Sequence, residues 1–115
     1  MTNDYTAVAL DFAKALMNGE FELAHGFLAE SIKAEYSPAL LQQTYINMVS
    51  YFLTPPHQCR IEVFMDDWAY PPKQESDMGW VYVSINADSD GEAVTVIISQ
   101  EQDHDVIRYI EWGRP

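Results

Sequence analysis

The chain is short of cysteine, of basic residues and of long apolar runs, and each shortage excludes a class of protein. Its 115 residues contain a single cysteine, Cys59. No internal disulfide can form, which is typical of the reducing cytoplasm. No apolar run approaches the roughly 18 residues that span a bilayer. The N-terminal residues lack the basic start and apolar core of a signal peptide. We therefore expect a cytoplasmic protein without a membrane partner.

The scarcity of basic residues says most about partners. Six Lys and Arg stand against eighteen Asp and Glu, which gives a net charge of −12. Such a field repels phosphate backbones and anionic lipids, so we expect no nucleic-acid partner. Two interpretations of the charge stay open. It serves solubility alone, or it steers a basic partner protein towards the chain.

The first half of the chain has helical periodicity. A first helix is predicted from about residue 4 to 18, with Gly19 where a left-handed residue ends a helix. A shorter second helix begins near Phe21. A third helix starts at Ser37-Pro38, an N-cap followed by a first-turn proline, and ends before Pro55-Pro56. The apolar faces of the first and third helices comprise Val8, Phe12, Ala15 and Leu16, and Leu41, Tyr45, Met48 and Phe52.

In the second half of the chain, apolar side chains recur at every second residue, which predicts strands. They fall near residues 59–66, 79–87, 92–100 and 105–112, with turns at Asp90-Gly91 and at 101–104. Strands joined by short turns are antiparallel neighbours. At 48% hydrophobic residues, the chain can bury one core. The predicted fold is α+β, with three N-terminal helices packed on a curved antiparallel sheet of about four strands in one domain, residues 1–115.

Both faces of this sheet carry apolar side chains, although three helices can cover only one face. The second face therefore needs another partner, and a second copy of the chain is the simplest one. We predict a homodimer through this second face. Its predicted interface residues are Phe64, Trp80, Tyr82 and Trp112, with Ile110 beside them.

The helical half resembles the nuclear-transport-factor-2-like (NTF2-like) superfamily, which includes polyketide-cyclase and ketosteroid-isomerase relatives. The likeness spans roughly residues 5–50, and the strands that follow agree in order only. It implies a cone-shaped, cystatin-like α+β domain with a pocket between helices and sheet, often dimerised through the outer face of the sheet. Residues that carry the resemblance are Phe12-Ala13, Leu16, Gly19, Phe21-Glu22, Ala24, Leu28, Ser37-Pro38, Leu41 and Tyr45.

Candidate catalytic residues are few. His25, His57 and His104 lack metal-ligand spacing and have no cysteine partner, so we expect no metal and no cofactor. If the protein is an enzyme, the best choices are His57 as base, Asp66 as orienting group and Tyr45 as hydroxyl donor. Asp66 and Asp67 are adjacent in a strand and point to opposite faces, so they cannot easily share a proton.

Two further patterns allow a binding role and a structural one. Tyr45, Tyr51 and Tyr109 could contact a ligand in the pocket, or simply pack with one hydrogen bond each. Residues 86–91 resemble the start of a calcium-binding loop, but Ile97 stands where that loop needs its closing Glu. A hairpin turn explains this segment better.

The absence of an acid–base constellation favours a non-catalytic binding module. It would hold a small apolar ligand in the pocket or a basic protein on its surface, for example as an acidic inhibitor or immunity protein. The alternative is a small isomerase or dehydratase with a pocket acid–base pair.

Overall fold

Four helices precede four strands in a computed structural model that describes residues 4–114. The helices are α1 (Thr6–Met17), α2 (Phe21–Gly26), α3 (Glu30–Lys33) and α4 (Pro38–Val49). The strands are β1 (Gln58–Met65), β2 (Asp77–Asn86), β3 (Gly91–Glu101) and β4 (His104–Trp112). They form one open antiparallel sheet in the order β1-β2-β3-β4. The prediction of an α+β fold with helices before a four-stranded antiparallel sheet is confirmed.

The helix boundaries follow local signals. Gly19 has a φ of 76°, the left-handed conformation expected after α1. The Ser37 hydroxyl accepts the Leu40 N–H at 3.1 Å, and Pro38 opens α4. Two details differ from the prediction: α4 ends at Val49 rather than near Phe52, and α3 is an additional helix too short for a period. No helix in the described part of the chain combines the length and hydropathy needed to cross a bilayer.

The core lies between the helices and one face of the sheet, here called the inner face. Alternate β2 residues, Val81, Val83 and Ile85, point to this face and are fully buried. They meet Phe12 and Leu16 of α1, which are also fully buried. Burying a side chain of this size contributes roughly 1.5–3 kcal/mol, so this layer supplies most of the apolar stabilisation. Other members of the cluster are Ala9, Leu28, Leu41, Val94, Val96, Ile98, Ile107 and Ile110.

Two bulges redistribute the aromatic side chains between the faces. The β1 register shifts at Glu62, so Phe64 pairs with Val81 and its ring lies 6.4 Å from that of Tyr5. The β4 register shifts at Arg108, so Trp112 pairs with Val94 and packs on the core with Ile110. The prediction that Phe64, Ile110 and Trp112 share a face with Trp80 and Tyr82 is wrong, because each bulge reverses the alternation beyond it. Trp80 and Tyr82 alone of these lie on the outer face, with ring centroids 6.4 Å apart.

The outer face is covered largely by the chain itself. Ile97 is on this face and fully buried, in register between Trp80 and Tyr109. Arg108 forms a bidentate ion pair on this face with Asp77 at the start of β2, with both N···O distances 2.6 Å. Arg108 also donates to the Pro72 carbonyl at 3.2 Å, which ties the segment 66–76 to the face. The apolar centre of the outer face is therefore buried without a second chain.

The two edges of the sheet differ in their cover. At β4 the Ala29 N–H donates to the Ile107 carbonyl at 2.7 Å, and the Ile107 N–H donates to the Phe27 carbonyl at 2.9 Å. The α2–α3 connection thus adds a short parallel bridge beside β4. Within residues 4–114, no backbone hydrogen bond covers the free side of β1.

Candidate functional site

The residues predicted for acid–base chemistry do not come together. His57 directly precedes β1 and Asp66 directly follows it, so at about 3.3 Å per residue they lie roughly 30 Å apart. The His57 imidazole is instead 3.0 Å from the Asp88 carboxylate, in a pair whose side chains are 57% and 72% exposed. Asp66 is exposed and Tyr45 is buried in the core. The set His57, Asp66 and Tyr45 therefore forms no site in this structure.

Tyr45 lies in the core between α2 and β1. Its ring centroid is 6.2 Å from that of Phe21. Its hydroxyl is buried without a hydrogen-bond partner among the described residues. Burial, together with the nearby Cys59 thiol, raises the pKa of Tyr45 to about 12. Burial likewise raises the pKa of Cys59 to about 11, although Lys14 opposes the change. Both groups stay neutral near pH 7, so neither can serve as a base there.

The other two tyrosines have structural contacts on the surface. The Tyr51 hydroxyl donates to the Glu92 carboxylate at 2.8 Å, which joins the segment after α4 to the start of β3. This hydrogen bond is the main reason that the pKa of Tyr51 is raised. Tyr109 lies on the outer face, where burial first and then Glu111 raise its pKa. The three tyrosines occupy three separate regions and line no common site.

An open pocket of about 450 Å³ lies at one end of the sheet, between the α2–α3 region and the β3–β4 hairpin. This acidic pocket is not the space between helices and sheet that the family resemblance implies. Its volume is within the range of small-ligand sites. The lining residues are Gly26, Phe27, Leu28, Glu30, Lys33, Glu101, Gln102, His104, Asp105 and Val106.

Two backbone features hold the walls of the acidic pocket. The bridge between Leu28 and Ile107 fixes the α2–α3 connection against β4. On the other wall, Gln102 and Asp103 have φ values of 50° and 67°, which form the tight two-residue turn of the hairpin. A hydrogen bond of 3.3 Å from the Glu30 N–H to the Glu101 carboxylate joins the two walls. The pocket is therefore part of the folded framework.

Carboxylates dominate the electrostatics of the acidic pocket. Glu30, Glu101 and Asp105 line it, and Lys33 forms an ion pair with Glu30 at 2.9 Å. The Gln100 amide donates to the Asp105 carboxylate at 3.2 Å. The lining therefore holds three carboxylates against one lysine, which makes it acidic by composition.

This arrangement suits an organic cation. Among residues 4–114, no three His, Cys, Asp or Glu side chains are grouped closely enough to hold a metal ion. A guanidinium or ammonium group can instead donate several hydrogen bonds to separate carboxylates. Phe27 and Val106, which are both partly exposed, supply apolar surface for the stem of an Arg or Lys side chain.

Sequence reasoning named His104 only as a histidine without metal-ligand spacing, and it missed Glu30, Lys33, Glu101 and Asp105. The two walls are about 70 residues apart along the chain. The carboxylates clustered around the turn at residues 101–104 were the one sequence signal of this pocket, and they did not indicate which segment lies opposite them. No family model, no curated protein and no solved structure matches this chain.

Proposed function

We propose that this protein is a non-catalytic binding module for a basic protein, and that the acidic pocket receives an Arg or Lys side chain of the partner. The observation that carries the proposal is the pocket of about 450 Å³ lined by three carboxylates and one lysine. An acidic inhibitor or immunity protein for a basic toxin is one form of this function.

The position of the pocket favours a protein partner over a buried apolar ligand. It is open to solvent, and its lining mixes charged side chains with short apolar ones. Where the resemblance implies a ligand pocket, the space between helices and sheet is occupied by buried side chains such as Phe12, Leu16 and Leu41. The net charge of −12 would also accelerate encounter with a cationic surface.

The test uses a blocked nine-residue Arg/Gly peptide as the probe and a Glu/Gly peptide of equal length as its counterpart. We expect the basic peptide alone to shift backbone amide NMR signals, and the largest shifts to fall at Glu30 and at residues 101–105. Binding should weaken steeply as salt is raised, because the contacts are ionic. Equal shifts over the whole acidic surface would contradict the proposal.

A matched pair of variants separates the pocket from the overall charge. The variant Glu101→Gln/Asp105→Asn removes two carboxylates of the pocket, and Asp11→Asn/Glu111→Gln removes two exposed carboxylates elsewhere. We expect about tenfold weaker peptide binding in the first variant and less than twofold in the second. Equal losses would leave only non-specific attraction to a negative protein.

We also propose that the domain is of the NTF2-like type, is cytoplasmic and forms a homodimer. The order of α1, Gly19, α2 and the Ser37-Pro38 start of α4, followed by the antiparallel sheet, supports the family assignment. The half-buried Cys59 thiol, in a chain with one cysteine, agrees with a reducing compartment. Sedimentation velocity of the purified protein tests the dimer, since a single monomeric species at every concentration would exclude it.

A further inference from the structure

The free edge of β1 is the most exposed part of the sheet. Val63 and Phe64 have 44% and 60% of their surface exposed. The edge of β1 that faces away from β2 makes no backbone hydrogen bond within the described residues, whereas β4 is bridged by the α2–α3 connection. Such an edge is a template for pairing with another strand.

The charges in the middle of β1 are complementary to themselves. Arg60 pairs in register with Ser84, an outer-face residue, and is exposed. Glu62 is also directed to the outer face, where one carboxylate oxygen accepts the Ser84 hydroxyl at 2.7 Å. Among the described residues, no hydrogen bond to the other carboxylate oxygen of Glu62 is seen. Arg60 and Glu62, one residue to either side of Ile61 in the sequence, therefore place opposite charges on the outer face of β1.

We propose that β1 pairs with β1 of a second copy, antiparallel and centred on Ile61, to give a continuous eight-stranded sheet. A two-fold axis at Ile61 places Arg60 of each copy beside Glu62 of the other, which creates two identical ion pairs. Directly opposite charges stabilise a strand pair, and like charges destabilise it. An interface of this kind is isologous and closed. This inference rests on the homodimer proposed above and names its surface, and it is independent of the acidic pocket, which is lined by the α2–α3 region and the β3–β4 hairpin.

Charge reversal tests this pairing against general repulsion between acidic chains. The variant Glu62→Arg makes the net charge of −12 less negative by two, so general repulsion predicts a tighter dimer. Edge pairing predicts at least about tenfold weaker dimerisation, because Arg60 then faces an arginine. Arg60→Glu should weaken the dimer as well. The double variant Arg60→Glu/Glu62→Arg restores both ion pairs at the original net charge and should regain the wild-type dissociation constant.

Dissociation constants come from sedimentation equilibrium, and circular dichroism checks that each variant is folded. Glu111→Arg on β4, an exposed residue with the same charge change as Glu62→Arg, serves as the control and should keep the dimer. Recovery in the double variant supports the proposal. A monomeric wild type would overturn it, and the charges and bulge of β1 would then protect the edge. A dimer that survives Glu62→Arg but is lost in Tyr82→Ser would assign the interface to the outer face.

Discussion

The two faces of the sheet are buried by different kinds of contact. The inner face is closed by apolar side chains from α1, α2 and α4, with the Tyr45 hydroxyl as an unpartnered polar atom among the described residues. The outer face receives no helix, yet Ile97, Thr95 and Ser99 are at most 4% exposed there. Large aromatic neighbours and the segment 66–76 cover them.

Polar contacts fasten the cover of the outer face. The Asp77 side chain is fully buried, and its carboxylate accepts two hydrogen bonds from Arg108 and one from the Gln74 N–H. Removing one partner of a buried ion pair leaves the other charge buried without compensation. The cover of the outer face therefore depends on a few polar groups, above all on Arg108 and Asp77.

The largest effect is expected at Arg108. The substitution Arg108→Met leaves the Asp77 carboxylate buried and unpaired, and should lower the free energy of unfolding by about 3 kcal/mol. The double variant Asp77→Asn/Arg108→Met removes both charges and should regain most of this loss. Urea unfolding followed by tryptophan fluorescence measures both. A double variant as unstable as the single one would mean that Arg108 acts by packing rather than by charge.

The pH dependence of the same variant has a defined sign. Burial alone raises the pKa of Asp77. The hydrogen bonds from Arg108, Gln74 and Ser99, together with the charge of Arg108, outweigh burial and hold the pKa below the usual 3.8. The stability that the ionised Asp77 contributes in the wild type is therefore complete above its unfolded-state pKa. It is lost as the pH falls through the lower folded-state pKa. In Arg108→Met burial dominates and raises the folded-state pKa. The stability difference between the two proteins should then widen as the pH rises from below 3.8 towards neutrality.

Local signals in the sequence were sufficient for the helices and for the order of the strands. Gly19, Ser37 and Pro38 act on their own turns, so their effects can be predicted without tertiary contacts. Strand faces were predicted correctly only up to each bulge. Glu62 bulges where its carboxylate meets Ser84, and Arg108 bulges where its guanidinium meets Asp77. Both partners lie on other strands, so simple alternation could not reveal them.

The candidate site was less predictable than the fold. Single-sequence reasoning placed a pocket between helices and sheet and chose His57, Asp66 and Tyr45. The acidic pocket depends on the bridge from Leu28 to Ile107, which joins a segment after α2 to β4. Nothing in either segment indicates the other, because the contact is tertiary. The carboxylates were visible only as part of the net charge.

A smaller effect is expected at the buried hydroxyl of Tyr45 on the inner face. Tyr45→Phe removes a buried hydroxyl that has no partner, so it should raise the free energy of unfolding by up to about 1 kcal/mol. Tyr36→Phe is the matched control, because the Tyr36 hydroxyl accepts the Trp112 indole N–H at 3.1 Å. The control should lose about 1 kcal/mol. If both variants lose stability equally, a buried water or ligand bonds to Tyr45.

The smallest effect is expected at His57, whose imidazole contacts the Asp88 carboxylate at the exposed end of the sheet. Both side chains are more than half exposed, in contrast to the buried Asp77–Arg108 pair. Water screens the attraction, and ordering two mobile side chains offsets much of what remains. His57→Ala should therefore change the free energy of unfolding by less than about 0.5 kcal/mol. A double-mutant cycle with Asp88→Ala measures the coupling directly, and a value near that of the Arg108 pair would show that burial does not set the strength of these contacts.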